Sequence, residues 1–193
     1  MAMPARHAIL DVVVELLDDE GYAAVQLRTV ASRARVGLDT IYKLFPTRDE
    51  LLIEAVASWM RENGFAELPA PPSDVSVYDG MMALFRHVFE PWEKHPRMLE
   101  AYFRVRNLPG GDRLDSIGTA VLSPVSQVVY AGLDSGYVDD VTVIVRNIAY
   151  AAIGQFTHGE LAITEILPLI ERTLRRLTAN NAPAAVRSAS IPA

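Results

Sequence analysis

The stretch GYAAVQLRTVASRARVGLDTIYKLFPTRDELLIEAV, residues 21–56, decides the fold. Within it, LRTVASRA at 27–34 puts Leu27, Val30, Ala31 and Ala34 on one face and turns Arg28 and Arg33 away, which predicts a short amphipathic helix. After the intervening RVG, LDTIYKLF at 38–45 sets Ile41 and Phe45 on the buried side of a second short helix, with Gly37 as its N-cap. Thr47 and Glu50, three residues apart just ahead of LLIEAVASWM, make the pattern of a capping box, so a longer helix is expected from Arg48 to Phe65. Upstream, Ile9, Val12, Val13, Leu16 and Leu17 recur at spacings of three and four between Pro4 and Glu20, a stripe on a first helix. Gly21 suits the left-handed end of that helix, and Tyr22 follows where a packing side chain closes it. Two short helices joined by a tight turn are the layout of a helix-turn-helix, whose second helix enters the DNA major groove.

Downstream, ELPAPPSD from Glu67 to Asp74 is proline-rich and aperiodic, so it reads as a linker that closes a first domain over 1–66. Helical patterns follow near 75–94, 96–107, 113–135, 139–158 and 163–178, punctuated by Pro96, Pro109-Gly110-Gly111, Gly136 and Gly159. Pro91, Pro124 and Pro168 fall inside these patterns, where a missing backbone donor is expected to kink or break a helix. The expected organisation is all-α: a helix-turn-helix domain with its connecting helix at 1–66, a helical domain at 75–178, and a small, polar, flexible tail at 179–193.

Composition narrows the function. A chain of 193 residues buries a real core, contains no apolar run of the roughly 18 residues that span a bilayer, and opens on MAMPARH without a signal-peptide apolar region. A cytoplasmic protein without a membrane partner is expected. The absence of cysteine excludes disulfides, thiolate nucleophiles and Cys-ligated zinc. The four histidines, His7, His87, His95 and His158, match no metal-ligand spacing, and Gly-x-Ser-x-Gly, the phosphate-binding P-loop and the dinucleotide fingerprint are missing. No metal, no cofactor and no enzymatic activity are therefore expected. A net charge of −6 argues against indiscriminate nucleic-acid coating, yet Arg28, Arg33, Arg35, Lys43 and Arg48 face only Asp39 between Gln26 and Arg48. This basic island suits local phosphate contact, and an ordinary solvated helix face would also explain it.

The residues Gly21-Tyr22, Ala31, Ala34, Thr40-Ile41-Tyr42, Phe45, Thr47-Arg48 and Leu51-Leu52 follow the order and spacing of the N-terminal signature of TetR-family transcription regulators. About 50 residues carry this resemblance. The chain departs from the pattern at Ala34-Arg35-Val36-Gly37, where Ala-Gly-Val-Ser is common, and at Gln26, where a Thr usually opens the helix. The resemblance implies that Thr40 and Tyr42 donate hydroxyl hydrogen bonds to DNA phosphates and that Lys43 and Arg48 add charged contacts, with Arg28 and Arg35 as further phosphate candidates. Base reading falls to Gly37 for close approach, Leu38 for a thymine methyl and Asp39, which either repels phosphate or accepts from a cytosine amino group.

It further implies a C-terminal apolar pocket for a small-molecule effector that changes the spacing of the DNA-binding heads. The candidate lining is Phe85, Phe89, Trp92, Met98, Tyr102, Phe103, Arg106, Val121, Val125 and Tyr150, though at helical spacing such residues equally form plain core. Arg104 and Arg106 either meet an anionic group at the pocket mouth or form surface salt bridges. Helices over 139–158 and 163–178 are apolar around much of their circumference, and the resemblance makes them the four-helix interface of a homodimer. Such a twofold dimer presents recognition helices roughly 34 Å apart and reads a near-palindromic operator on double-stranded DNA. GYAAVQLR, TIYKLFPTR and EKHPRMLEAYFRVRN also resemble the steroid- and lipid-catabolism repressors of the family, which implies a bulky lipid or its coenzyme A ester as ligand. The expected function is a repressor released from its operator by a small apolar ligand. The competing class is a helical carrier or enzyme that has lost DNA binding.

Overall fold

The computed structural model describes residues 2–64, 71–72 and 75–179. Among them every regular element is helical: α1 (Ala2–Asp19), a 3-10 turn (Tyr22–Ala24), α2 (Leu27–Arg33), α3 (Leu38–Leu44), α4 (Arg48–Trp59), α5 (Val77–Lys94), α6 (Pro96–Arg106), α7 (Arg113–Val129), α8 (Ser135–Thr157) and α9 (Ile163–Thr178). The all-α expectation holds. The chain divides into two compact units, Met1–Ala66 with Glu90–Thr119 and Glu67–Phe89 with Ala120–Ala193, so that α5 and α7 each contribute to both. The linker expected at Glu67–Asp74 lies outside the described residues except for Pro71 and Pro72, as does the expected tail beyond Ala179.

In the first unit α1 packs on α2, α4 and α6, α2 on α3, and α4 on α6. The α1 stripe supplies Ile9, Val13, Leu16 and Leu17 to a core that also takes Val30, Ile41, Phe45, Leu51, Leu52, Met98 and Leu99, all fully or almost fully buried. Each large apolar side chain withdrawn this way stabilises the fold by roughly 1.5–3 kcal/mol. α1 ends as the glycine predicts: Gly21 takes φ 85°, and its N–H donates to the Leu16 carbonyl at 2.9 Å. At the start of α4 the Thr47 hydroxyl accepts from Glu50 N–H at 3.0 Å. α4 widens into a π turn at Met60–Gly64, where Asn63 Nδ2 donates to the Trp59 carbonyl at 3.2 Å; the expected end at Phe65 lies outside the described residues.

In the second unit α8 and α9 pack together, burying Val141, Val145, Ala152, Ile166, Ile170 and Leu174. α5 is fastened to α9 by a polar cluster, in which Tyr78 Oη donates to Glu171 at 2.9 Å and Arg175 donates to Glu171 at 2.7 Å. These two bonds hold the Glu171 carboxyl below the usual carboxylate range, the one from Tyr78 contributing most. α5 and α7 approach closely at Gly80, where a Cβ would meet Val129 Cγ2 at 2.6 Å.

Two expectations need correction. Gly136 does not punctuate the chain; it is the second residue of α8, which begins four residues earlier than its periodicity suggested because Asp134 accepts from Tyr137 N–H at 3.1 Å. The break falls at Gly132, whose φ of 78° the chain needs after α7 ends. Nor do Pro91, Pro124 and Pro168 break their helices. At the latter two, the carbonyls deprived of a partner belong to Ala120 and Thr164, which are exposed and so open to water.

Candidate nucleic-acid interface

α2 and α3 are held from beneath and leave their outer faces free. Val30 and Ala31 root α2, and Ile41 and Phe45 root α3. The turn between them closes with Arg35 N–H on the Ser32 carbonyl at 3.3 Å and Val36 N–H on the Ala31 carbonyl at 3.0 Å, the paired bonds of a Schellman helix end. Arg35, which occupies the left-handed position of that motif, has φ 55°. Gly37 follows in extended conformation as the N-cap of α3. At the far end of α3, Arg6 from α1 donates to the Leu44 carbonyl at 3.3 Å, lies 4.6 Å over the Phe45 ring and pairs with Glu54 at 3.2 Å. Sequence reasoning passed over Arg6, since nothing local marks a side chain that reaches across 38 residues.

The outer surface carries most of the expected contact residues. Arg28, Arg35, Gly37, Asp39, Tyr42 and Lys43 are exposed, while Leu38 and Thr40 are half-buried at the edge of the same face. Tyr42 keeps 50% of its surface open to solvent, a large value for an aromatic side chain.

The arginines and the lysine between Gln26 and Arg48 sort into two groups. Arg33 pairs with Glu20 at 2.6 Å. Arg48 is folded back into the head: Nε donates to the Val25 carbonyl at 3.0 Å, and its terminal nitrogens donate to the Tyr22 hydroxyl and carbonyl at 3.3 Å each. It lies 4.8 Å from the Tyr22 ring centre, and Arg104 of α6 lies 5.5 Å over the same ring. The structure therefore gives Arg48 the work of fastening α4 to the Tyr22 turn, apart from the outward-facing set. Arg28, Arg35 and Lys43 have no hydrogen-bond or ion-pair partner among the described residues, so their charges are available to an anionic partner.

The expected pocket residues divide between the two units. In the first, the Trp92 ring packs at a tilt of 48° against Trp59, centres 4.4 Å apart, and of 47° against Tyr102 at 5.3 Å, and Met98 is fully buried. Arg106 forms a two-bond salt bridge with Asp115, 2.7 Å at each bond, the surface alternative left open for it. His95, also in this unit, sits 2.6 Å from Asp18 of α1 and edge-on to Trp59 at 5.6 Å. In the second unit Phe85 and Phe89 have ring centres 6.4 Å apart, Val125 is buried and Tyr150 is half-buried. The side chain of Val121 lies outside the described ones. A crevice in this unit, lined by Gly80, Met81, Leu84, Ser126, Val129 and Tyr130, has free space of about 10 Å³, room for about one water. Tyr130 Oη reaches Met81 Sδ there at 3.1 Å. Among the described residues no acidic, histidine or cysteine cluster is placed to hold a metal ion, and no helix is long and apolar enough to cross a membrane.

Residues 9–55 match the family model for bacterial regulatory proteins of the tetR family, and residues 75–177 match the tetracyclin repressor-like C-terminal domain. The HTH-type transcriptional repressor KstR of Rhodococcus jostii is 46% identical over 52 residues, 27% of this chain and 24% of that protein. The KstR of Mycolicibacterium smegmatis is 43% identical over 51 residues, 26% and 25% of the two chains. Each of these matches thus spans about a quarter of the relative's length. In fold, the chain is similar to a TetR transcriptional regulator from Rhodococcus sp. RHA1, with a TM-score of 0.66 at 19% identity over 93% of this chain and 99% of the other. A TetR-like transcriptional regulator from Rhodococcus sp. RHA1 gives a TM-score of 0.63 at 15% identity over 91% and 96%. With family models matching both its head and more than half its length, the chain belongs to the TetR family of bacterial regulatory proteins.

Proposed function

We propose that this protein is a cytoplasmic, ligand-responsive transcription regulator that holds double-stranded DNA through α2 and α3 and acts as a repressor released by a small apolar ligand. The observation that carries the DNA-binding part is the outer face of the helix-turn-helix. Three cations without hydrogen-bond or ion-pair partners among the described residues, Arg28, Arg35 and Lys43, stand with an exposed Tyr42 on α2, α3 and the turn between them, elements rooted by Val30, Ile41 and Phe45. Phosphate contacts from Arg28, Thr40, Tyr42 and Lys43 set register, and Gly37, Leu38 and Asp39 read base edges. Repression is carried over from the similar KstR proteins, which are HTH-type transcriptional repressors.

The effector reading rests on the second unit. Phe85, Phe89, Val125 and Tyr150 put apolar side chains on α5, α7 and α8, but none of them lines the crevice between α5 and α7, which Gly80, Met81, Leu84, Ser126, Val129 and Tyr130 enclose. With room for about one water, it must open for any larger ligand. Ligand binding then favours one conformation and biases an equilibrium between DNA-competent and incompetent states. Homodimerisation through α8 and α9 accounts for Val143 and Ile144, which are 48% and 40% exposed in the single chain.

Two variants test the interface. Tyr42→Phe and Lys43→Ala are each expected to weaken binding to all duplexes alike by about 3–10-fold, the loss of one phosphate contact per chain. Asp39→Ala is expected to change the ranking of duplexes that differ at single base pairs. Unchanged affinity in all three, measured by fluorescence anisotropy, would remove α3 from the DNA-contacting surface.

A further inference from the structure

Five described residues have a backbone in the left-handed region, and four are glycines: Gly21 at φ 85°, Gly110 at 82°, Gly132 at 78° and Gly159 at 75°. The fifth is Arg35 at φ 55°. In that region a Cβ crowds the following carbonyl oxygen, a penalty glycine escapes and that Asn or Asp offsets with short local hydrogen bonds. Arginine has neither means. The conformation is imposed by the Schellman bonds of Arg35 N–H to Ser32 and Val36 N–H to Ala31, which end α2 and aim α3. A glycine at this place would satisfy the same bonds without strain.

Nothing inside the described chain compensates. The Arg35 side chain is exposed and has no hydrogen-bond or ion-pair partner among the described residues, whereas Arg33 and Arg48 are both bonded within the head. Two cations on the helices that Arg35 joins, Arg28 of α2 and Lys43 of α3, likewise have no such partner among the described residues. Strain without a compensating partner among the described residues, at a charged side chain in the turn between the helices of Arg28 and Lys43, is explained by a partner outside the protein.

We infer that Arg35 is a phosphate-binding residue of the DNA-contacting surface, placed at the turn at the expense of fold stability because its charge adds to DNA affinity. The inference rests on the DNA-binding reading above. Strain and charge are separable by substitution, since glycine removes both, alanine removes only the charge, and lysine keeps both.

The test uses a duplex that the full-length wild type enriches from a randomised pool, with thermal melting of each variant beside it. Arg35→Gly is expected to melt roughly 2–4 °C higher, to bind about 5–30-fold more weakly, and to show a salt slope of log K shallower by about 1 per chain bound. Arg35→Ala is expected to bind like Arg35→Gly with no gain in melting temperature, and Arg35→Lys to keep the wild-type salt slope. Wild-type affinity and slope in Arg35→Gly would overturn the inference while leaving the DNA-binding reading intact. So would equal weakening in Arg35→Ala and Arg35→Lys at an unchanged slope, which would mean shape and not charge. A wild type that enriches no duplex would overturn both.

Discussion

Arg48 and Lys43 look alike in the sequence, two cations within six residues of Tyr42, and the fold separates them. The Arg48 guanidinium donates to Val25 and Tyr22, more than twenty residues upstream, while Lys43 stays in solvent. Arg48→Ala is accordingly expected to destabilise the protein by about 2–3 kcal/mol, the loss of hydrogen bonds from a charged donor to part-buried acceptors. Chemical denaturation would check this against Lys43→Ala, which should change stability by less than about 0.5 kcal/mol. The sequence carried the identity and sign of these charges and not their direction, because an inward turn is decided by a carbonyl that becomes a neighbour only in the fold. Tyr130 offers a second residue-level test. Burial pushes its hydroxyl above the usual pKa of 10, outweighing the opposite effect of its hydrogen bond with Thr142. The folded state holds this proton more tightly than the unfolded chain, so the contribution is complete below pH 10 and is lost as pH rises through the raised folded value. Tyr130→Phe is expected to lose stability less steeply than the wild type above pH 10 in equilibrium unfolding.

At the scale of elements, the interiors of helices were legible and their ends only in part. The apolar spacing of α1, α2 and α3 and the Thr47 cap of α4 announce themselves locally, and Thr47→Ala should cost about 1 kcal/mol through the lost bond to Glu50 N–H. The start of α8 was misplaced because Gly136 is conspicuous and the Asp134 cap is not: the residues after it, Ser135, Gly136 and Tyr137, begin no apolar stripe. The turn at 109–111 was legible as a turn, but not its tightness. A Cβ on Gly111 would stand 2.3 Å from the Val105 carbonyl oxygen and 2.6 Å from that of Arg106. Backbone has no rotamer to yield, so Gly111→Ala is expected to destabilise by about 2 kcal/mol or more. A melting temperature within a degree of wild type would show that α6 can move away from the turn.

At the scale of the whole molecule, helical period was enough for an all-α chain and the resemblance carried by residues 21–56 for its family, whereas the ligand site was not legible. Apolar residues at helical spacing look the same whether they close on one another, as Trp92 does on Trp59 and Tyr102, or line a space. The surface gives a clearer prediction: Val143 and Ile144 stand exposed on α8. If α8 and α9 form the dimer, Ile144→Asp should convert a dimer to a monomer in sedimentation velocity and weaken DNA binding with it, since the two heads no longer act together. The acidic balance of −6 favours a carrier over a DNA-binding protein only if the basic face of α2 and α3 meets no phosphate. A fluorescence-anisotropy titration of the protein against its enriched duplex and a scrambled one, at two salt concentrations, decides between them. Selective binding that weakens steeply as salt rises is the predicted result, because each phosphate neutralised releases counterions. Equal, salt-insensitive binding to both duplexes, or none to either, would contradict the account.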